Sequence, residues 1–380
     1  MRPRWGPRRL VWTVHRWLGL ASGAVIFVVA FTGALYALAP EIGDLYLRRY
    51  GRVTPPPGAR MLAPSAVAQR AEAAAERAAG SLPAGTRRWL TLSAAPDRSA
   101  VYTVASAGSS AWYEVYIDPY RGEVLIVRDV LWDPLGLILR AHQSLLLPEP
   151  IGRQVVVIAV LVFVSSLLTG LVLWFPRRPA DLRQPSALRR RLVVDRHGSF
   201  FRIVYDLHRV LGGYALVGAL IMALTGLVWS FGWRERGVSG VLTRGTPRAH
   251  GVGRTAAPTA TGGSPAIDLA VAAAVRTFPV FVRLEVGLAA RPGEALSVCA
   301  NPGATTSYRT ECLWFDQHTA RLLGSERYRD KNPGERLLAM NYDIHTGRIA
   351  GIPGRLVAFL ASLVAASLPL TGALIWWNRR

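Results

Sequence analysis

The sequence predicts an integral membrane protein in which a bundle of four transmembrane helices carries two exported α+β domains, arranged as a tandem internal repeat. Three observations predict this class. Apolar residues make up 51% of the 380 residues and charged residues only 18%, which is unlike a soluble domain. Four apolar runs are close to or longer than the ~20 residues needed to cross the hydrocarbon core. The first of these runs also recurs later in the chain.

The recurrence relates the first and third candidate spans at a constant offset of 193 residues (208 minus 15). His15-Arg16 aligns with His208-Arg209, and Thr32-Gly33 aligns with Thr225-Gly226. The second and fourth spans share Leu-Thr-Gly followed by tryptophan, so the whole chain is predicted to be a tandem duplication. The four candidate spans are 10–38, 155–175, 205–231 and 355–377.

The long segments between the spans are predicted to be exported domains. Each shows an alanine-rich helix followed by four alternating strands, with turn residues between them. The chain is divided as follows: helix 1, 1–38; exported domain 1, 39–150; helix 2, 151–175; an Arg-rich connector, 176–204; helix 3, 205–231; exported domain 2, 232–353; helix 4 with the tail, 354–380.

The net charge of +21 is explained by the membrane rather than by a nucleic-acid partner. All but one of the 45 basic residues are Arg, and many flank the spans. Residues 1–16 carry five Arg and no acidic residue, and the connector 176–202 carries eight Arg against two Asp. Because short cytoplasmic segments are rich in Arg and Lys, both termini and the connector are predicted to be cytoplasmic, in the inner membrane of a bacterium.

The two cysteines, Cys299 and Cys312, both fall in the second exported segment. They lie on two predicted strands on either side of Asn301-Pro302-Gly303. A cross-strand disulfide is therefore predicted in an oxidising compartment. Two unpaired thiols are the alternative, and neither cysteine has the neighbours of a zinc site.

Four of the seven histidines occupy corresponding positions beside the spans. His15 matches His208 by the constant offset. His142 matches His345 because they precede the Gly-Arg at the start of spans two and four by ten and nine residues. An ionisable side chain at a membrane helix is costly and usually functional, and neutral imidazole is the usual axial ligand of haem iron, among other metals. These four histidines are therefore predicted to be metal or haem ligands.

Each histidine also has a purely structural interpretation. His15 and His208 could extend to the membrane interface, with Gly19 and Gly212, one turn later, serving helix packing instead of leaving a groove for a flat macrocycle. His142 and His345 could be surface or turn residues.

The other three histidines are weaker candidates. His197 is a reserve ligand or interface residue, His318 a turn residue, and His250 a solvated linker residue. The chain has no dinucleotide-binding, P-loop or zincin motif.

Several short motifs resemble those of the PepSY-associated transmembrane-helix proteins, a family that includes iron-regulated inner-membrane proteins and siderophore reductases. The motifs follow one another over nearly the whole chain, and the exported one resembles the PepSY hairpin. They are HRWLGL from His15, VYIDPYRGEVL from Val115, AHQSLLL from Ala141, LTGLVLWFP from Leu168 and DLHR from Asp206. The second hairpin departs from the pattern, with His318-Thr319-Ala320 where the first has Tyr120-Arg121-Gly122.

The resemblance implies an inner-membrane protein with two b-type haems that reduces iron chelates in the periplasm. By position, His15, His142, His208 and His345 correspond to the recurrent histidines of the family. We expect one haem near the cytoplasmic face, held by His15 and His208, and a second near the periplasmic face, held by His142 and His345. A cytoplasmic or quinol donor would supply electrons, and a ferric siderophore or another iron chelate would accept them. The activity expected is that of a haem-dependent oxidoreductase.

Two other functions remain open. The exported segments could form a PepSY binding or regulatory module, with a peptide or peptidase as partner, anchored by the helices. The protein could also be an accessory subunit of iron-siderophore uptake. Four anchoring helices do not require four repeat-related histidines, which favours the redox function.

Overall fold

The computed structural model describes residues 6–378 except 83–84, 107–110, 177–179, 181–182, 231–264, 292 and 304. The described residues form two compact units. The helical unit lies within Met1–Ala39, Leu137–Arg234 and Asn341–Arg380, and the sheet unit within Pro40–Gly136 and Glu235–Met340. The predicted linker with His250 lies outside the described residues, as does Phe231 at the predicted end of the third span.

Four long apolar helices make this a multi-pass membrane protein, because each is long and apolar enough to cross a bilayer. The shorter helices connect them or belong to the sheet unit. The helices described are α1 (Pro7–Ala37), α2 (Ala39–Tyr46), α3 (Arg48–Gly51), α4 (Pro64–Ala79), α5 (Pro134–Ser144), α6 (Glu149–Trp174), α7 (Pro185–Leu192), α8 (Phe200–Ser230), α9 (Ala266–Thr277), α10 (Pro333–His345) and α11 (Gly351–Trp377).

The four spans are α1, α6, α8 and α11, and they pack as a ring. Helix α1 packs against α6 and α11, and α8 packs against the same two helices, so α1 and α8 lie diagonally across the bundle. Small buried residues line the contacts, including Ser22, Gly23, Ala361 and Ala365. Small side chains let membrane helices approach closely. Large side chains such as Trp377 are exposed on the bundle, as expected where a helix faces lipid.

The helices begin a few residues before the predicted spans. Helix α6 begins at Glu149 rather than 151 because Pro150 suits the first turn of a helix, where no amide hydrogen is needed. Helix α8 begins at Phe200 rather than 205, since its polar first turns extend beyond the apolar run on which the prediction was based.

The sheet unit contains one continuous antiparallel sheet in the order β4-β3-β2-β1-β5-β6-β7-β8. The predicted domains 39–150 and 232–353 therefore share a sheet, where the sequence indicated two separate domains. The strands are β1 (Arg87–Ser93), β2 (Ala100–Ala105), β3 (Trp112–Ile117), β4 (Val124–Asp129), β5 (Arg283–Leu288), β6 (Leu296–Asn301), β7 (Glu311–Phe315) and β8 (Leu322–Glu326).

The join lies between β1 and β5, where Leu90 faces Val286 and both side chains are fully buried. An unpaired strand edge exposes a row of backbone donors and acceptors, and pairing β1 with β5 covers both edges. Helices α4 and α9 pack on the same core. At the start of α4, Ser65 donates from its amide and its hydroxyl to the Asp268 carboxylate of α9, at 2.8 and 2.6 Å.

The two halves of the sheet end in equivalent turns. Asp118 accepts backbone N–H groups of the next turn between β3 and β4, and Asp316 does the same between β7 and β8. Cys299 on β6 lies directly opposite Cys312 on β7, and the two form a disulfide. The predicted cross-strand disulfide is thus confirmed.

Candidate histidine pairs of the helical bundle

The structure brings His15 and His208 together across the bundle. His15 lies on α1 and His208 on the diagonal helix α8, and their ring centroids are 6.2 Å apart with an angle of 75° between the ring planes. The His15 ring contacts α6, and the His208 ring contacts α11. The pair therefore involves all four spans.

His142 and His345 form a second pair of the same geometry. His142 lies on α5 and His345 at the end of α10, and their ring centroids are also 6.2 Å apart, at 60°. Burial, followed by the charge of His142, lowers the pKa of His345 to about 4, and burial also lowers the pKa of His142. Both imidazoles are therefore neutral at pH 7, which is the form that binds metals.

Each of the four rings is held through its Nδ1 atom. In the first pair, His15 Nδ1 lies 3.0 Å from the Ser166 carbonyl oxygen and 3.1 Å from Thr169 Oγ1. His208 Nδ1 lies 2.9 Å from Thr371 Oγ1. These contacts fix the orientation of both rings on the neighbouring helices.

The second pair is held in the same way. His142 Nδ1 donates to the Val29 carbonyl of α1 at 2.8 Å, and His345 Nδ1 lies 3.0 Å from Thr225 Oγ1 of α8. Each of the four Nδ1 atoms thus contacts a carbonyl or hydroxyl oxygen, and the helix that supplies this oxygen differs each time.

The threonines determine which ring nitrogen carries the proton. Thr169, Thr225 and Thr371 each donate their hydroxyl hydrogen to a carbonyl of their own helix, so their oxygens can only accept from the imidazole. The Nδ1 atom therefore carries the hydrogen, and Nε2 keeps its lone pair. A histidine ligand whose other nitrogen donates to a carbonyl or hydroxyl is the usual arrangement at metal sites.

A glycine lies under each ring and allows it to approach the helix backbone. If a Cβ were added at these glycines, it would lie 3.0–3.4 Å from the Cε1 atom of the ring, which is too close without a shift. In each case the glycine follows the threonine of a Thr-Gly sequence. The four contacts are Gly33 with His142, Gly170 with His15, Gly226 with His345 and Gly372 with His208.

Gly19 and Gly212, one turn after His15 and His208, do not contact the histidine rings. A Cβ added at Gly212 would lie 3.3 Å from Leu368, and one added at Gly19 would meet only Ser166 Oγ, at 3.9 Å. Neither contact is with a histidine ring. Gly212 thus packs against Leu368 of α11, and a groove beside the histidines stays a prediction.

The two pairs lie near opposite ends of the spans. His15 and Gly33, which contacts the second pair, are 18 residues apart on α1 (33 minus 15). At 1.5 Å per residue this is about 27 Å, close to the ~30 Å thickness of the hydrocarbon core. The same separation holds on α8 between His208 and Gly226.

The spacing within each pair suits one metal ion between two imidazoles. A ligand nitrogen lies ~2.0 Å from its metal, and ring bonds of about 1.33 Å give an imidazole radius of about 1.1 Å. Two rings on opposite sides of one ion would therefore have centres roughly 6 Å apart, as both pairs do. The described residues contain no group of three or more His, Cys, Asp or Glu that could hold a metal. A pair of histidines is a ligand set that suits a haem iron.

The two other described histidines, His197 and His318, do not join the pairs. His197 is exposed, and its backbone N–H donates to Asp195. His318 lies in the turn between β7 and β8, as predicted. His250 falls outside the described residues.

A cavity of about 520 Å³ lies in the sheet unit, near the end of α9. This volume is typical of small-molecule sites. Its wall combines apolar Phe278 and Val280 with Tyr328, and its charged residues are Arg309, Arg329 and Glu311, so that cationic groups outnumber anionic ones. A ligand with an aromatic or apolar part and anionic oxygens would suit such a wall.

The sequence did not assign a role to the threonines, although it showed their positions. Each Thr-Gly was seen only as a mark of the repeat, because its contact with a histidine from another helix depends on tertiary packing. A signal was nevertheless present: each of the four apolar spans contains one Thr-Gly, and four histidines are related by the repeat.

The comparison with known families agrees with this architecture. The model of the PepSY-associated TM region matches residues 12–379, which include all four histidines and nearly the whole chain. A comparison with curated proteins finds no match. Since the family match extends over all four spans and the segments between them, the chain belongs to the PepSY-associated transmembrane family.

Proposed function

We propose that this protein is a dihaem electron-transfer protein of the bacterial inner membrane that reduces a ferric siderophore or another iron chelate in the periplasm. The observation that carries the proposal is the presence of two histidine pairs of equal geometry, each with Nδ1 donating to its own helix partner and Nε2 free to bind. A membrane anchor has no need of this arrangement. An intramembrane ionisable residue without a function would be costly.

In this proposal His15 and His208 hold one haem, and His142 and His345 hold the other. Haem supplies one-electron redox chemistry when it is bound. With two histidines as its ligands the iron would keep no open position, so the haem would supply electron transfer rather than oxygen chemistry. The threonines and carbonyls at Nδ1 raise the basicity of the ligands and keep the rings in place.

The direction of transfer follows from the predicted sidedness. The Arg-rich N-terminus and connector would place the His15–His208 pair on the cytoplasmic side, where a cytoplasmic or quinol donor would deliver electrons. The His142–His345 pair would lie on the periplasmic side. The ferric chelate would be reduced there, since iron(II) is held less tightly by siderophore oxygens.

The cavity of the sheet unit favours a second candidate function, that of a membrane-anchored binding module. Its mixture of Tyr328, Arg309 and apolar residues could take a peptide end or an anionic chelate without any redox step. The two functions differ in whether haem is bound.

An absorption spectrum of the purified protein, taken before and after dithionite, separates them. We expect a Soret band and reduced b-type bands corresponding to two haems per chain. Protein expressed with adequate haem supply that shows no Soret band would contradict the redox function and leave the binding module.

Ligand substitutions then test the assignment. His15→Ala and His208→Ala should each remove one haem and leave the other, because each removes one of the two proposed ligands of the same site. The control is His197→Ala, an exposed histidine of the connector, which should keep both haems. Retention of two haems in both ligand variants would refute the His15–His208 site.

A further inference from the structure

Three buried N–H donors without a hydrogen-bond partner lie at one end of the helical bundle. Among the described residues, the Nε atoms of Arg16 and Arg209 and the indole Nε1 of Trp174 have no acceptor although they are shielded from water. Buried donors are nearly always paired, so each such group requires a physical explanation.

The three residues belong to the same place in the bundle. Arg16 directly follows His15, and Arg209 directly follows His208. Trp174 lies one turn after Gly170, which contacts the His15 ring, and its indole nitrogen lies against the backbone of Gly213 on α8. All three donors therefore flank the His15–His208 pair.

The chemistry of the missing partner follows from the donors. Guanidinium and indole groups donate and cannot accept, so the partner must be an acceptor. The NH2 group of Arg209 donates to Asp206 at 2.8 Å, and Arg202 pairs with the same carboxylate at 3.2 Å.

Arg16 has no carboxylate partner among the described residues. Its guanidinium group lies over the rings of Trp12 and Trp17, at 4.7 and 5.1 Å from the ring centroids. A positive charge is thus left without a counter-charge beside His15, which favours an anionic oxygen ligand.

The other end of the bundle shows the contrast. Arg153 and Arg355 each donate to a helix-terminal carbonyl, Trp229 at 2.8 Å and Ala37 at 3.0 Å respectively. In the described part of the helical unit, every buried donor that lacks a partner belongs to the His15–His208 end. The unpaired donors are therefore a property of this site and not of the bundle in general.

We propose, resting on the proposed function, that Arg16, Arg209 and Trp174 bind the carboxylate side groups of the haem held by His15 and His208. Haem carries two carboxylates on one edge. That edge would point toward the end of the bundle at which the three donors lie. The same donors would make this haem easier to reduce, because positive charge near the iron favours its less positive oxidation state.

The first test compares haem with its dimethyl ester, in which both carboxylates are blocked. Apo-protein from haem-limited cells is titrated with each compound and followed by its Soret band. We expect one of the two sites to bind the ester at least tenfold more weakly than haem, and Arg16→Gln to remove most of that preference. Equal binding of haem and ester at both sites would overturn the inference. Failure of wild-type protein to bind haem at all would count against the proposed function instead.

The second test is a redox titration of the holoprotein, which resolves the two haems. Arg16→Gln and Trp174→Phe should lower the midpoint potential of one haem and leave the other unchanged, and Arg16→Lys should restore part of the shift because it keeps the charge. Arg153→Gln is the matched control at the opposite end of the bundle. It should leave the haem that responds to Arg16→Gln at its wild-type midpoint potential. Unchanged potentials in Arg16→Gln would refute the assignment. If this variant instead loses only a co-purified anionic phospholipid, the donors bind a lipid headgroup and the inference is also wrong.

Discussion

At the scale of single residues, the histidine pairs are organised by the groups that hold Nδ1. The hydroxyl of Thr225 donates to its own helix, at 2.7 Å from the Ile221 carbonyl, and so accepts from His345. This contact fixes the tautomer through a neutral partner. Neutral partners suit a site within apolar helices, since a carboxylate there would need its own counter-charge.

Thr225→Val should weaken the site of His345 while the fold is kept. Valine has the shape of threonine but cannot accept the Nδ1 hydrogen, and loss of such an outer contact typically lowers metal affinity by roughly 10–100-fold. The haem content and the midpoint potential of that site are the quantities to measure.

The matched control is Thr32→Val at the corresponding position of α1. The Thr32 hydroxyl donates to the carbonyls of Val28 and Val29, and His142 uses the Val29 carbonyl rather than this hydroxyl. Thr32→Val should therefore retain haem at the wild-type level. Equal losses in the two variants would show that the threonines act only on helix packing.

At the scale of elements, α1 and α8 each have two roles. Helix α1 provides His15 near its beginning and a glycine surface for His142 near its end, and α8 does the same with His208 and His345. Helices α6 and α11 supply the surfaces on which His15 and His208 rest. Each site therefore depends on the packing of several helices, and small displacements of one helix affect both sites.

Gly33→Ala should displace the His142 ring. The new methyl group would lie 3.0 Å from Cε1 and 3.2 Å from Nδ1 of that ring, so the 2.8 Å bond to Val29 must lengthen. We expect a lower haem content at this site, seen as loss of one of two reduced bands.

Gly19→Ala on the same helix controls for helix propensity. Alanine favours a helix over glycine by about 1 kcal/mol in both positions, but at Gly19 the nearest atom is 3.9 Å away. This variant should keep both haems. A similar loss in both variants would mean that the backbone, and not contact with the ring, determines the effect.

The β1–β5 join predicts that the two segments that contribute β1–β4 and β5–β8 unfold together. Leu90→Ala removes a fully buried side chain at the join and should cost about 2–5 kcal/mol. Hydrogen exchange should then increase in strands of both segments, for example at Val104 and Val298. Increased exchange restricted to the first segment would show that the halves are independently stable.

At the scale of the whole molecule, sidedness is the property that connects the pairs with their partners. The disulfide of Cys299 and Cys312 is consistent with export of the sheet unit, since such bonds persist in oxidising compartments. In the proposed topology the Arg-rich N-terminus is cytoplasmic.

Reporter fusions test this topology. A fluorescent protein that matures only in the cytoplasm should be bright when fused after the last span, and alkaline phosphatase, which needs the periplasm, should be inactive there. The reverse result is expected for phosphatase inserted near Gly58, at an exposed turn of the sheet unit. An active phosphatase at the C-terminus would invert the proposed direction of electron transfer.

Several elements follow from the sequence with little ambiguity. The four strands predicted in each long segment are present as β1–β4 and β5–β8, because alternation and turn residues act locally. The four spans were recognisable since a bilayer imposes a minimum apolar length. The continuous sheet could not be predicted, because the pairing of β1 with β5 joins residues nearly 200 positions apart and periodicity does not specify which strand edge is covered.

The apolar run around His208 was determined by the sequence alone, together with its copy around His15, because both are local patterns of hydrophobicity and spacing. Only the tertiary structure decided that these two rings meet across the bundle, that Thr371 and Thr169 orient them, and that Gly372 and Gly170 let them reach the helix backbone. The physical reason is that a hydrogen bond between helices depends on which faces pack together. Residue spacing along one helix defines its faces, and the close packing of the four helices determines which of these faces are in contact.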